Sequence, residues 1–188
     1  MNHRHEITFL LRQTGRPGID DLIKWMEENG FFEAPCSSRY HLAKPGGLAE
    51  HSLNVYKNCI AWTNAMYQNG EIEVTYSFFD SIAICALLHD LGKAGQFGKP
   101  IYLENTEDSE YPYRSNKDLL YVPHEIRSIA IASRFIELTE EEQFAILRHN
   151  GLYSDSQGLK GNETPLMLIL HHSDMWAARV TEREEKMQ

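Results

Sequence analysis

His89-Asp90 closes the segment Ser81-Ile82-Ala83-Ile84-Cys85-Ala86-Leu87-Leu88, which as a helix is apolar on every side and is therefore expected to be buried. An ionised carboxylate taken inside costs roughly several kcal/mol unless a cation or full hydrogen bonding compensates it. A capping or salt-bridged aspartate is one way to meet that cost. Asp174 poses the same problem, because its helical neighbours at three and four residues are Leu170, His171, Ala177 and Ala178, a small and mostly apolar face. His51 shares its stripe with Leu48 and Val55 and, a turn further on, Cys59 and Trp62. Two inward histidines and two inward aspartates, with Lys93 the one basic residue close by in sequence, are explained together by a shared metal ion.

Imidazole nitrogen and carboxylate oxygen overlap in preference for borderline divalent ions, so Mn, Fe, Ni or Zn is expected. His51, His89, Asp90 and Asp174 come from three well-separated helices, so such a site exists only in the folded chain and ties those helices together. Two further histidines suit a second ion. His124 opens a helix after Pro123, and His149 ends one just before Asn150-Gly151. With Asp90 bridging, the pair could hold a metal roughly 3.5–4 Å from the first, the separation that clamps attacking and leaving oxygens in phosphoryl chemistry. Otherwise the two rings line the pocket and meet the substrate directly.

The elements that must position these groups are mostly helical, since no alternating apolar run is long enough for a sizeable sheet. Periodicity predicts helices near 4–13, 19–29, 47–68, 77–91, 123–137, 139–149 and 164–183. Thr139 with Glu142 makes a capping box, Pro123 fits a first helical turn, and Gly30 and Gly151 sit where helices stop. Loops are expected over 30–46, 92–122 and 150–163. The middle one is long and rich in tyrosine, and it is a candidate lid. Short extended pieces near Ile101–Leu103 and Leu119–Val122 could pair in it as a hairpin. The expected fold is thus all-α with a small β-hairpin or irregular insertion: one domain over 1–188, with its core at about 41–180 and a helical extension at 1–40.

Composition bounds what such a domain does. The 188 residues are 42% hydrophobic and 24% charged, which suits a globular chain with a real core. The net charge of −9 disfavours nonspecific binding to duplex nucleic acid, although a local metal charge still permits a small phosphorylated substrate. Cys36, Cys59 and Cys85 form no C-x-x-C pair, so neither a disulfide framework nor a cysteine-rich zinc site is expected. The longest apolar stretch, Ile82 to Leu88, is far short of the roughly 20 residues of a membrane helix, and the start of the chain lacks a signal-peptide core. The expectation is a cytoplasmic protein with no membrane partner.

The order His51, His89-Asp90, Asp174 resembles the H…HD…D signature of the HD-domain metal-dependent phosphohydrolases. Leu88-His89-Asp90-Leu91-Gly92-Lys93 is similar to that family's central motif, and the intervening His124 and His149 resemble its H…HD…H…H…D subset with two metals, which includes phosphodiesterases and some exonucleases. Gly46-Gly47-Leu48-Ala49-Glu50-His51-Ser52-Leu53 also resembles the first-ligand stretch of HD proteins related to a bacterial 3′→5′ exoribonuclease. The cyclic-dinucleotide phosphodiesterases of the superfamily carry paired histidines and a Gly-Tyr-Pro motif, and this chain has neither in place.

The expected activity is hydrolysis of a phosphate ester in a nucleotide or nucleotide-like substrate, with a metal-activated water attacking in line. Asp90 and Lys93 would carry it, Lys93 reaching a phosphate oxygen as a point charge; a plain lysine at a helix C-terminus is the alternative. His41, Arg39 and Ser38 precede the Gly-Gly turn and could reach the same pocket, or lie on a solvated loop. His171 shares a face with Asp174 and could orient it, while His172 faces elsewhere. Glu125 could orient or deprotonate a water. Tyr102, Tyr111, Tyr113 and Tyr121 could stack on a base. The tail 181–188 reads as a solvated helix end. Two other classes fit parts of the pattern: a metal-binding regulatory or ligand-sensing module without turnover, and a structural helical protein whose histidines fill the core.

Overall fold

A computed structural model describes residues 3–107, 110–151, 159 and 161–183. Seven α-helices are found among them: α1 His3–Gln13, α2 Ile19–Glu28, α3 Gly47–Gln68, α4 Tyr76–Leu88, α5 His124–Ala132, α6 Glu140–Arg148 and α7 Pro165–Trp176. Each helix lies within a predicted span or within a residue of it. α4, α5 and α7 are shorter than periodicity suggests: α4 stops at Leu88 and is followed by a 3-10 turn over Leu91–Lys93, α5 stops at Ala132, and α7 passes into a π-helical turn, Ala177–Thr181.

α4 has no polar face because it has no exposed one in its second half. Ile82 to Leu88 are all buried, surrounded by α1, α3, α6 and α7. The starts of α4, α6 and α7 carry their own caps. Thr75 Oγ1 accepts from the Phe78 N–H, Thr164 Oγ1 does so from Met167 ahead of Pro165, and Thr139 with Glu142 completes the expected capping box. Pro123 stands one place earlier than expected, as the residue before α5.

The predicted hairpin forms with a different partner. Two small antiparallel ladders are present, β1 Gly95–Gln96 with β2 Lys99–Pro100, and β3 Tyr102–Glu104 with β4 Tyr113–Ser115. Residues 119–122 are not a strand, and Leu120 and Tyr121 are exposed. The nearer partner requires a shorter loop. That loop is closed by the Asn105 N–H and side-chain amide donating to the Pro112 and Tyr111 carbonyls, at 2.8 Å each. Of the expected loop 150–163, residues 152–158 and 160 lie outside the described residues.

Two close contacts fix where the site can form. A Cβ on Gly92 would sit 2.3 Å from the His124 carbonyl oxygen, so only glycine lets α5 start against the His89-Asp90 corner. The Gly92 N–H donates to Ser128 Oγ at 2.8 Å, and that hydroxyl donates to the His124 carbonyl, also at 2.8 Å. The second contact joins the N-terminal extension to the bundle. Arg16 makes a two-pronged pair with the fully buried Glu142, at 2.7 and 3.0 Å, and Ser81 and the Thr139 N–H also donate to that carboxylate.

Two outcomes follow. Gly92→Ala should cost about 1–3 kcal/mol by overpacking, read as a lower denaturant midpoint, and should displace His124. Burial pushes the Glu142 carboxyl up, but Arg16 and the Thr139 and Ser81 donors outweigh it and hold the pKa below its ordinary 4.5. A lowered pKa contributes stability above the unfolded value that is lost as the pH falls through the folded one. The stability gap between wild type and Glu142→Gln should therefore be widest near neutral pH and shrink below about pH 4.5 in urea titrations.

Candidate metal centre

α3 begins at the Gly46-Gly47 turn, where Gly46 takes a left-handed φ of 75°. The helix then carries His51 inward, with Leu48, Val55 and Cys59 buried on the same stripe. Trp62 does not continue that stripe. It is 38% exposed, and its ring lies against His172 at 6.2 Å. His89 and His149 occupy equivalent places, each the residue that ends its helix. A carbonyl in the last helical turn has no helical donor, and each ring supplies one: His89 Nδ1–H to the Ala86 carbonyl at 2.9 Å, and His149 Nδ1–H to that of Ile146 at 2.7 Å.

Those bonds fix the tautomers and leave each Nε2 as a lone pair aimed inward. His51 is held in the same way, its Nδ1 lying 3.0 Å from both carboxylate oxygens of Glu182. The rings of His41, His51, His89, His149 and His124 form a row with successive centroids 4.8–5.4 Å apart.

Asp90 stands in the middle of this row and divides it. Its Oδ2 is 3.5 Å from His89 Nε2 and 3.7 Å from His51 Nε2, while its Oδ1 is 3.2 Å from His124 Nε2 and 3.7 Å from His149 Nε2. Asp174 Oδ1 completes the first side at 3.1 Å from His51 Nε2. On the second side, the His124 and His149 Nε2 atoms face each other at 3.3 Å. Glu125 lies 3.2 Å from His124 Nδ1, so it backs that ring.

The His89 and His149 lone pairs therefore face Asp90 oxygens at 3.5 and 3.7 Å, while the His124 and His149 Nε2 atoms share one hydrogen bond. His51 Nε2, His89 Nε2 and Asp90 Oδ1 are buried with no hydrogen-bond partner among the described residues. A buried acceptor facing another acceptor is unfavourable unless a positive charge lies between them. These buried donors could hold a metal ion. The sets His51, His89, Asp174 and His89, Asp90, His149 each bring ligand atoms within 4.8 Å of one another. The six expected ligands, His51, His89, Asp90, His124, His149 and Asp174, thus converge.

The local field agrees with this donor set. Burial raises the Asp90 pKa, but Lys93, His89 and His124 outweigh it and hold the carboxyl well below its usual range. Asp174 is likewise held down, chiefly by His51 against the opposing effect of burial. Burial and the neighbouring His89 push His149 down to about 3, so its ring is neutral and able to ligate. In the absence of a metal, burial lowers the His51 pKa, but Cys36, Asp174 and Glu182 together raise it well above the ordinary value.

The other expected residues divide. Lys93 is not a surface lysine: its side chain is 16% exposed and Nζ lies 2.6 Å from Asp90 Oδ2. It also borders a cavity of about 340 Å³ lined by Asn29, Glu33, Pro100, Tyr102 and Tyr113. His41 does not sit on a solvated loop. Its Nε2 lies 3.4 Å from Cys36 Sγ, and burial, aided by His51, brings its pKa down to about 4. Arg39 is exposed, its guanidinium stacked between the Tyr40 and Tyr111 rings and hydrogen-bonded to both hydroxyls. It joins the 30–46 loop to the 92–122 segment rather than entering the centre, and Ser38 does the same through its carbonyl, which accepts from the Tyr113 N–H at 3.2 Å.

His171 does not orient Asp174. Its Nδ1–H donates to the His149 carbonyl at 2.7 Å and so braces His149 instead. Tyr121 is exposed and takes no part. Sequence reading misses Glu182, which falls in the stretch taken as a solvated tail yet is only 8% exposed. Residues 184–188 of that tail lie outside the described residues.

A centre of this kind couples ligation to stability. Mn²⁺ at about a hundred times its Kd should add about 2.7 kcal/mol and raise Tm by roughly 5–10 °C in differential scanning fluorimetry, reversed by chelator and weakened in His149→Ala. No family model matches the chain, and neither does any curated protein or solved structure.

Proposed function

We propose that this chain is a metal-dependent phosphohydrolase of the HD-domain kind, a helical bundle that hydrolyses a phosphate ester of a nucleotide or nucleotide-like substrate. The observation that carries the reading is the division of Asp90, one oxygen toward His51 and His89 and the other toward His124 and His149. His51, His89, Asp90 and Asp174 would hold one divalent ion, and Asp90, His124 and His149 a second. Bound there, Mn, Fe, Ni or Zn supplies an activated water near neutral pH and positive charge for phosphoryl oxygens.

The chain's own groups do the rest. Lys93 stands between Asp90 and the cavity, where its ammonium can neutralise a phosphate oxygen entering from the cavity side. Glu125 keeps the His124 ring oriented. Tyr102 and Tyr113 line the cavity beyond Lys93 and offer aromatic faces for a base. The tightly buried centre excludes bulk water from the reacting side of the substrate, which strengthens each of these charges.

Metal content and hydrolysis of bis(p-nitrophenyl) phosphate, measured with added Mn²⁺, test the reading. Asp90→Ala should lose stoichiometric metal and at least about a hundredfold in rate, since metal stabilisation of the transition state is worth several kcal/mol. Lys93→Ala should keep its metal and lose about ten- to hundredfold in kcat/KM, the worth of a charge-assisted bond. Equal activity in wild type and Asp90→Ala would remove the mechanism. Stoichiometric metal with no turnover across nucleotides, cyclic nucleotides and short RNAs would make the chain a regulatory module instead.

A further inference from the structure

Eight residues separate Asp174 from Glu182, and both carboxylates reach His51 from opposite ends of its ring. Asp174 Oδ1 is 3.1 Å from Nε2, and both Glu182 oxygens are 3.0 Å from Nδ1. A regular α-helix could not do this. Eight α-helical residues advance about 80° past whole turns, which would swing Glu182 off the Asp174 face. The π-helical turn Ala177–Thr181, closed by the Glu182 N–H donating to the Ala177 carbonyl at 2.9 Å, takes roughly one more residue per turn and absorbs that excess. π turns of this kind are uncommon and concentrate at functional sites.

Glu182 is also built in rather than loosely apposed. Its side chain is 1% exposed, and Asn54, one turn of α3 beyond His51, donates Nδ2–H to Oε1 at 3.0 Å. The neutral His41 ring stands 4.0 Å from Oε2. Burying a carboxylate this deeply for structural reasons alone would be costly, and an apolar residue would pack the position better.

We infer that Glu182 is a positioning residue of the metal centre: it holds His51 with the proton on Nδ1, raises the basicity of Nε2, and makes the His51 side bind its ion more tightly. The centre thereby gains a supporting residue eight positions past Asp174. This inference rests on the metal reading above but not on turnover.

The test is Mn²⁺ binding to the full chain by equilibrium dialysis and electron paramagnetic resonance, in wild type, Glu182→Ala and Glu182→Gln, with helix content checked by circular dichroism. Glu182→Ala should weaken the tighter Mn²⁺ site by about 10–100-fold, the usual effect of removing a ligand's partner. Glu182→Gln, whose amide oxygen still accepts from Nδ1–H but carries no charge, should lie between Glu182→Ala and wild type. This graded rescue is not expected of a carboxylate that only fills space. Wild-type Mn²⁺ affinity in a folded Glu182→Ala or, should that variant not fold, in Glu182→Gln would overturn the role of Glu182 and leave the metal centre standing. A wild type that binds no Mn²⁺ would overturn both.

Discussion

The Asp90 carboxylate is the constraint on which the rest of the structure turns. It is 1% exposed at the end of a helix whose final seven residues are all buried, so water cannot solvate its charge. An uncompensated charge there would cost several kcal/mol, a large share of what holds a domain of this size together. The direct compensation comes from Lys93, in the turn after α4, whose Nζ lies 2.6 Å from Oδ2, and His51 from α3, His124 from α5 and His149 from α6 surround the carboxylate. Each of those elements is held against α4 or the turn that follows it, and Gly92 is present because α5 must approach within the radius of a methyl group. Packing and electrostatics therefore select the same arrangement.

Having the histidines nearby does not by itself make a site. A neutral imidazole offers a lone pair at one nitrogen only, and a ring free to choose its tautomer would hydrogen-bond to Asp90 and quench the centre. Backbone carbonyls remove that choice for His89 and His149, because both rings stand at helix ends where the carbonyl three residues back lacks a helical donor. The same requirement explains why these histidines sit at helix ends, whereas His51, in the second turn of a long helix, is held by a carboxylate from elsewhere in the chain.

Much of this was legible in the sequence, and the remainder was not, for identifiable reasons. Helix positions and the inward faces of His51, Asp90 and Asp174 follow from periodicity, because a buried polar residue on an apolar stripe is conspicuous. The inward turn of His124 and His149 was inferable from their place at helix ends. Glu182 was invisible because it follows a π turn: a period of 3.6 projects it off the Asp174 face, and it stands in a run of charged residues that reads as solvent-facing. The role of His171 was misassigned because helical spacing identifies neighbours on its own helix but says nothing of the His149 carbonyl across the α6–α7 contact. The strand partner of β3 depended on loop closure by Asn105, a contact with no periodic signature.

The first forty residues read as an extension to the core, yet they close the site as well as the fold. α1 and α2 contribute Ile7, Leu11, Leu22 and Met26 to the same hydrophobic core as α4. Arg16 reaches across to Glu142 at the start of α6, the helix that ends on His149, so the ion pair helps fix where that ring stands. Beyond α2, Asn29 and Glu33 form one wall of the cavity beside Lys93, and Cys36 with His41 backs His51. The acidic surface implied by a net charge of −9 would repel a phosphate at a distance. For the proposed phosphate substrate, attraction would come from inside this enclosure, where low dielectric strengthens the fixed charge of Lys93. The extension therefore packs into the core of the bundle and also walls the cavity beside Lys93.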